Sequence, residues 1–308
     1  MDNFETPIVF IIFNRPDTTQ KVFEEIKKIK SPKLFIIADG PRKNRKDDEQ
    51  NCEKTRRIIN NIDWECEVLK NYSDVNLGCR KRVSSGLDWV FQHCEEAIIL
   101  EDDCVPSQAF FRFCQELLIR YKYDTRIMHI SGSRFNTERI RNNDSYIFSR
   151  HGHIWGWATW KRAWQLNDHE MKLWPQFRDE GWVSDLYDNK EEVKINIRAL
   201  NECYNGKIDT WDYQWAFTLL SNSGLSIIPK ENLIKNIGVG EGSTHVKVDI
   251  LNHTNRKVAE DFIITKHPSF ILRNNWFDSY HYKNHFKVSF KKRIILKLRE
   301  IASYFVKN

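Results

Sequence analysis

The sequence predicts an α/β fold in which a mainly parallel sheet is flanked by helices. Short apolar runs of strand length alternate, along the first half of the chain, with segments whose apolar residues recur at helical spacing. Strands that are apolar on both faces and alternate with helices are typical of βα units around a parallel sheet. With 308 residues, 41% of them hydrophobic, the chain is long enough to bury a sizeable core.

Four apolar runs in the first half predict strands, and each is followed by a turn signal and then by a helical pattern. The predicted strands are Ile8–Phe13, Leu34–Ala38, Cys66–Leu69 and Ala97–Leu100. A turn and the start of the first predicted helix lie within residues 14–17, and this helix carries Val22, Phe23, Ile26 and Ile29. The other predicted helices are 51–62, Arg82–His93 and Phe110–Tyr121, and Arg42–Glu49 is a predicted charged loop.

The second half is less regular and contains eight tryptophans between residues 155 and 215. Helical spacing predicts helices at 191–204 and 212–222, and a short strand follows at Leu225–Ile228. Gly238–His245 is a predicted Gly-rich loop. Because no linker or repeat interrupts this pattern, we expect one domain over residues 1–282 and a separate tail over residues 283–308.

Composition and motifs exclude several classes of protein. No stretch approaches the roughly 18 apolar residues of a membrane span, and the acidic N-terminus lacks a signal-peptide pattern. The seven cysteines are odd in number and include no C-x-x-C pair, which is typical of reduced thiols. Neither G-x-G-x-x-G nor the P-loop pattern occurs. We therefore expect a cytoplasmic protein without either of these nucleotide-binding motifs.

The net charge of +6 is concentrated in the tail. Residues 283–308 contain eight Lys or Arg and one acidic residue, whereas the rest of the chain is nearly neutral. A basic amphipathic helix at a chain end is typical of binding to an anionic membrane surface, and packing on the body is the alternative. Since no nucleic-acid motif or basic stripe is present, we expect no nucleic-acid partner. The apolar face of the predicted tail helix comprises Phe290, Ile294, Leu298, Ile301 and Phe305.

Acidic residues follow the predicted strands at their carboxyl ends, where open α/β sheets bind ligands. Glu101, Asp102 and Asp103 directly follow one strand, and adjacent carboxylates repel one another unless a cation compensates. Mn²⁺ or Mg²⁺ prefers such oxygen ligands, and an acidic turn that caps the next helix is the alternative. Asp39 follows another strand and could accept hydrogen bonds from a ribose or a base, or form a turn with Gly40.

Two basic segments could bind phosphate groups. Asn14 and Arg15 follow the first predicted strand, and arginine binds phosphate through two parallel hydrogen bonds. Gly78 precedes a helix start that carries Arg80 and Arg82, a combination that suits a diphosphate. The alternatives are a surface turn in the first case and a solvated basic helix end in the second.

The second half offers a sugar platform and two titratable residues. Trp155 and Trp157 flank Gly156, and flat aromatic faces suit sugar rings, although a tryptophan-rich core corner is the alternative. Asp212 opens a predicted helix, where it could act as a cap or as a general base. His245 lies in the Gly-rich loop, which could close over a ligand.

Taken in order, these motifs resemble one family. The order is FNRP, ADGP, NLG, EDD, WGW, a Trp-Asp pair and a late loop histidine, over roughly residues 6–250. This pattern is similar to that of GT-A-fold glycosyltransferases, nearest to the N-acetylglucosaminyltransferase I-like group and its bacterial relatives. The resemblance implies a catalytic domain of GT-A, Rossmann-like fold over residues 1–282.

The resemblance also implies roles for particular residues. Asp103 would bind Mn²⁺ (or Mg²⁺), Glu101 and Asp102 would help to hold the nucleotide sugar, and Asp39 would contact the nucleoside. Asp212 would be the catalytic base, although Tyr213 stands where the family pattern has a second acid. By the same resemblance, Asn14 and Arg15 would line the nucleoside pocket, and His245 would contact the phosphates or the metal.

The implied activity is transfer of a hexose or N-acetylhexosamine, with inversion. The donor would be a nucleotide sugar, expected to be a UDP-sugar, and the acceptor a hydroxyl of a glycan or lipid-linked molecule in cell-surface polysaccharide synthesis. A cytoplasmic enzyme at the inner face of the membrane fits these expectations. Two alternatives stay open: a sugar nucleotidyltransferase, which would ordinarily carry a Gly-rich basic loop after the first strand, and a non-catalytic carbohydrate- or nucleotide-binding protein of the same fold.

Overall fold

The structure is a computed structural model, and it describes residues 4–135, 143–187, 189–238 and 255–286. The strands are β1 (Ile8–Ile12), β2 (Lys33–Ala38), β3 (Glu67–Tyr72), β4 (Glu96–Glu101), β5 (Cys104–Pro106), β6 (Ile127–Ser131), β7 (Tyr146–Ser149), β8 (Trp157–Trp160), β9 (Leu225–Pro229) and β10 (Ile234–Asn236). The α-helices are α1 (Pro16–Ile29), α2 (Asp48–Ile58), α3 (Cys79–His93), α4 (Gln108–Arg120), α5 (Lys161–Trp164), α6 (Trp174–Asp179), α7 (Trp182–Leu186), α8 (Lys190–Tyr204), α9 (Asp212–Ser221) and α10 (Asn275–His281). A 3₁₀ turn follows α2 at Ile59–Asn61, and a π-helical turn follows α10 at Tyr282–Phe286.

Within the described ranges, eight strands form one sheet in the order β3-β2-β1-β4-β8-β6-β9-β7. The neighbours from β3 to β4 are parallel, as are β6 and β9, whereas β8 and β7 pair antiparallel to their neighbours. The predicted α/β fold with a mainly parallel sheet is therefore confirmed. The pairing of Ile12 with Ala38 and of Ile11 with Glu101 brings the carboxyl ends of β1, β2 and β4 to one edge.

Apolar side chains cover both faces of this sheet, as the continuous apolar runs predict. On β1, Ile8, Phe10 and Ile12 pack with helices α1 and α4 on one face. Val9 and Ile11 point to the other face, where α3, α5 and α9 contribute the second core layer. Because successive residues of a strand point to opposite faces, a run that is apolar at every position requires a covering layer on each side.

The sequence did not predict strands β5 to β8 or β10. The structure places the last residue of the WGW motif, Trp157, at the start of β8, where it pairs with Ile99 of β4 and with Ser131 of β6. Within β8, Trp157 and Trp160 point to opposite core layers. Bulky aromatic side chains suit such a doubly buried strand, but the four-residue segment is too short for its periodicity to be recognised from sequence.

At the C-terminal end of the described residues, α10 and the π-helical turn form one continuous helical stretch. The π-helical turn at Tyr282–Phe286 directly follows α10, so the expected boundary between residues 282 and 283 falls inside it and stays a prediction. His245 and the tail from residue 287 lie outside the described residues. No helix in the described part of the chain is both long and apolar enough to cross a membrane.

Candidate functional site

A cavity of about 590 Å³ opens at the shared carboxyl edge of β1, β2 and β4. We call it the charged cavity because ionisable side chains dominate its walls. Of the residues proposed from sequence, it contains Asn14, Arg15, Asp39, Arg82, Glu101 and Asp102. Sequence analysis missed further polar residues that line it, namely Arg42, Arg45, Lys46, Asp47, Asp48, Asn51, Cys79 and Asp209.

Arg15 is the counter-ion of the acidic triplet. Its Nη2 bonds to Oδ1 of the buried Asp102 and lies 3.0 Å from Oδ2 of Asp103. Asp102 also accepts the backbone N–H of Phe13 at 3.1 Å, which fastens the triplet to the end of β1. Burial raises the pKa of Glu101 to about 8, and the charges of Asp103 and Asp102 add to that rise. Two carboxylates thus share one guanidinium beside a third acid, and the negative charge left over favours a further cation.

Asp103 directly follows Asp102 but is not among the residues that line the charged cavity, and its carboxylate is the kind of ligand that a hard divalent cation takes. Its Oδ1 accepts the Cys104 thiol at 3.3 Å, and the backbone of Gly238 lies so close to Oδ2 that an added Cβ would be 2.0 Å away. No cluster of three or more His, Cys, Asp or Glu suited to a metal occurs among the residues that the structure describes. Mn²⁺ and Mg²⁺ commonly take one or two carboxylates and complete their shell with substrate phosphates and water, and this arrangement suits Asp103.

Asp39 has a different environment from the one expected. Its Oδ1 accepts the N–H groups of Gly40 and Leu77, both at 2.9 Å. Its Oδ2 accepts the N–H of Gly78 at 3.1 Å and the amide of Asn76 at 3.0 Å. Four donors fill the usual acceptor positions of a carboxylate, so little capacity is left for a ribose hydroxyl. Asp39 therefore shapes the wall of the charged cavity by holding the 76–78 turn.

The basic start of α3 also differs from the expectation. The backbone N–H groups of Cys79 and Arg80 donate to the carboxylate of Asp209 at 3.0 and 3.1 Å, so an acid already occupies this helix end. The Arg80 side chain points away from the charged cavity and donates to the carbonyl of His169 at 2.6 Å. Arg82 does line the cavity, but its guanidinium donates to Asn71 at 2.7 and 2.8 Å.

Asn14 is likewise engaged within the protein. Its amide donates to Oδ1 of Asp48 at 2.7 Å, and Arg42 donates to Oδ2 of the same carboxylate at 2.6 Å through Nε. The Asp48 side chain is 5% exposed, so this buried acid ties the predicted charged loop to the end of β1. Asn14 therefore acts on the cavity by positioning that loop.

Asp212 lines a second cavity of about 290 Å³, which we call the aromatic cavity. Asp212 is the first residue of α9, and the Thr210 hydroxyl donates to its Oδ1. Its charge also contributes to the raised pKa of Glu101 in the charged cavity, where burial is the main cause. Asp212 thus lines the aromatic cavity only, and its charge acts on Glu101 in the wall of the charged cavity. Side chains around it in the aromatic cavity include Phe135, His151, His153, Trp155 and Tyr213.

Only Trp155 of the WGW motif has the position that a sugar platform needs. Trp155 lines the aromatic cavity, and its ring lies 4.9 Å from that of Phe135 in an edge-to-face contact. Trp157 is instead fully buried in the core, where it stacks on Trp211 at 5.4 Å. Gly156 has φ of +62°, and a Cβ there would lie 2.4 Å from Ile234, so packing rather than ligand access requires glycine.

Comparison with known proteins gives no family assignment. No family model matches the chain, and no curated protein matches its sequence. Among solved structures, a mannosyltransferase from Pyrobaculum calidifontis in complex with GDP-Man and Mn²⁺ is 13% identical, with a TM-score of 0.38, over 53% of this chain and 47% of that one. Mouse xyloside xylosyltransferase 1 is 9% identical, with a TM-score of 0.35, over 70% and 82% of the two chains.

Nucleotidyltransferases are also among the similar structures. The 4-diphosphocytidyl-2C-methyl-D-erythritol synthase from Anaerococcus prevotii is 10% identical, with a TM-score of 0.34, over 55% of this chain and 77% of that one. At these identities and scores, the comparisons do not distinguish the two kinds of transferase. The resemblance to the N-acetylglucosaminyltransferase I-like group stays a prediction.

Proposed function

We propose that this protein is a metal-dependent glycosyltransferase. It would move a sugar, with inversion, from a nucleotide sugar to a hydroxyl of a glycan or lipid-linked acceptor. The observation that carries the proposal is the position of Asp212, which lines the aromatic cavity and lies near the acidic triplet of the charged cavity. A base between a site for a charged donor and a site for an acceptor is what a single displacement needs.

In this proposal the charged cavity holds the nucleotide sugar and the aromatic cavity holds the acceptor. Trp155 offers an aromatic face to the acceptor sugar, and Asp103 would hold a divalent cation together with the donor phosphates. When bound, the cation would neutralise charge on the departing nucleoside diphosphate. The runner-up, a sugar nucleotidyltransferase, is less consistent with Asn14-Arg15-Pro16 after β1, since both polar side chains there are engaged within the protein.

The chemical role of Asp212 follows from its contacts. Among the described residues, the Thr210 hydroxyl bonds to Oδ1, which leaves Oδ2 for the acceptor hydroxyl. The hydroxyl oxygen attacks the anomeric carbon from the face opposite the leaving group, and its proton passes to Asp212. The bond between the anomeric carbon and the diphosphate oxygen breaks, and the nucleoside diphosphate leaves with the electron pair. One such displacement inverts the anomeric configuration.

The Asp212→Asn variant tests this role. We expect it to bind nucleoside diphosphates as tightly as the unchanged protein and to lose transfer by a factor of about 100 or more, since asparagine cannot accept the proton. Asp185→Asn, a change in the short helix α7, is the matched control and should keep full activity. Full transfer by Asp212→Asn would exclude Asp212 as the base.

We further propose that the tail, residues 283–308, brings the enzyme to an anionic membrane surface where a lipid-linked acceptor is found. The excess of basic residues in the tail and their amphipathic spacing support this proposal. Replacing Lys291, Lys292 and Arg293 with glutamate should abolish sedimentation with vesicles that contain phosphatidylserine. If the triple variant sediments as the unchanged protein does, the tail is not the anchor.

A further inference from the structure

Three of the five Arg and Lys side chains that line the charged cavity are engaged by groups of the protein itself. Arg15 is paired with Asp102 and Asp103. The other two are Arg42 and Arg82, which bond to Asp48 and Asn71. These three guanidiniums mainly hold the architecture of the cavity.

Arg45 and Lys46 are different. Both side chains line the charged cavity and are exposed, and neither has a hydrogen bond or ion pair with any residue that the structure describes. They lie on the loop between β2 and α2. Their charges are therefore available to a ligand in the cavity.

The loop that carries these two residues is held in place. The Arg45 N–H donates to the carbonyl of Arg42, and the Asp48 N–H donates to the carbonyl of Arg45, both at 3.2 Å. The buried Asp48 carboxylate then accepts from the backbone and side chain of Arg42 and from Asn14. A loop fastened by a buried acid presents Arg45 and Lys46 from a backbone that needs little further ordering on binding.

The charges of the cavity are distributed unequally over its walls. Glu101 and Asp102 lie at the end of β4 and Asp209 lies before α9, whereas the loop before α2 contributes Arg45, Lys46 and one exposed acid, Asp47. An anionic ligand is repelled by the acidic wall, and the two basic side chains of the loop outnumber Asp47 and attract the ligand. Charge-assisted hydrogen bonds from Arg and Lys to phosphate are among the strong contacts available to a protein.

We infer that Arg45 and Lys46 bind the phosphate groups of the donor nucleotide and make the cavity selective for nucleoside diphosphates over nucleosides. This inference rests on the proposed function and assigns the phosphate contacts to the loop, not to Arg80 or to the start of α3. The loop contacts would act beside any cation held at Asp103.

The test measures binding of UDP, GDP, CDP and ADP, with the corresponding nucleosides, to the full chain by calorimetry in the presence of Mg²⁺. In the Arg45→Ala/Lys46→Ala variant we expect the diphosphate that binds the unchanged protein to bind about tenfold more weakly or worse. Binding of its nucleoside should change less than twofold. The control variant, Lys43→Ala/Lys54→Ala, removes two nearby exposed charges that do not line the cavity and should bind as the unchanged protein does.

The outcomes separate this inference from the proposed function. If the unchanged protein binds a diphosphate and the Arg45→Ala/Lys46→Ala variant binds it equally well, the loop is not the phosphate site and the proposed function stands. An equal loss in the control variant would show a general effect of charge and would also overturn the inference. If the unchanged protein binds none of the four diphosphates, the proposed function fails and the inference fails with it.

Discussion

Arg15 lies 3.0 Å, from Nη2 to Oδ2, from Asp103, the acid that we propose as the metal ligand. The same guanidinium bonds to Asp102, which is 3% exposed. One arginine therefore compensates both the carboxylate that holds the triplet to β1 and the carboxylate proposed to face the donor. The relationship makes Arg15 a structural partner of the acids rather than a free phosphate ligand.

The Arg15→Gln variant should be less stable than the unchanged protein. Removing the arginine leaves the buried Asp102 without its cation, and breaking such a pair costs about 3 kcal/mol in the free energy of unfolding at neutral pH. Urea unfolding measures the loss. Arg45→Gln is the control, because Arg45 is exposed and has no partner among the described residues, so its free energy of unfolding should stay within about 0.5 kcal/mol. Equal stability of the two variants would contradict the pairing.

The free energy of unfolding should fall as the pH is lowered, and His129 should cause part of this loss. Its Nδ1 accepts the indole N–H of Trp215 at 3.1 Å, and its ring stacks on Trp157 at 5.1 Å. Burial lowers the pKa of His129 to about 4. Because the unfolded chain binds this proton near pH 6.5, the contribution of His129 is complete above that pH. It declines by about 3 kcal/mol as the pH falls towards 4.

The His129→Gln variant isolates this contribution. The difference in free energy of unfolding between the unchanged protein and the variant should be largest at pH 7.5 and should shrink between pH 6.5 and 4.5. Urea unfolding at four pH values in that range measures it. A difference that is constant with pH would mean that His129 titrates normally in the folded protein.

Substitutions of Trp155 and of Trp157 should have different effects, the first mainly on function and the second mainly on stability. Trp157→Ala removes a fully buried indole from the core and should lower the free energy of unfolding by about 4 kcal/mol. Trp155→Ala should cost less stability, because Trp155 is only partly buried, and should weaken acceptor use through the aromatic cavity. Urea unfolding and the KM for the acceptor test both effects. A severe loss of stability with an unchanged KM in Trp155→Ala would mean that Trp155 is also only a core residue.

Much of the sheet could be predicted from sequence because β1, β2 and β4 are continuous apolar runs. Such strands require helices that cover both faces of the sheet. The residues that follow these strands were correctly expected at one edge. Short strands such as β8 could not be predicted, because their pairing depends on partners far away in the chain.

The roles of single side chains were harder to predict for the same reason. Asp209 caps a helix that begins 130 residues earlier, and no local signal indicates that contact. Asp39 and Arg80 have the residue types that a donor site needs, but their contacts within the protein engage them elsewhere. A charged loop could be recognised from sequence, whereas the buried Asp48 that fixes it could not.

The central claim is that the charged cavity binds a nucleotide sugar together with a divalent cation at Asp103. The most direct measurement is the melting temperature of the unchanged protein and of Asp103→Ala with nucleoside diphosphates and nucleotide sugars, with and without Mn²⁺. A ligand that binds only the native state raises the melting temperature. We predict that a diphosphate or its sugar raises the melting temperature of the unchanged protein only when Mn²⁺ is present, and does not raise that of the variant. No increase with any nucleotide, or an equal increase in Asp103→Ala, would contradict the claim.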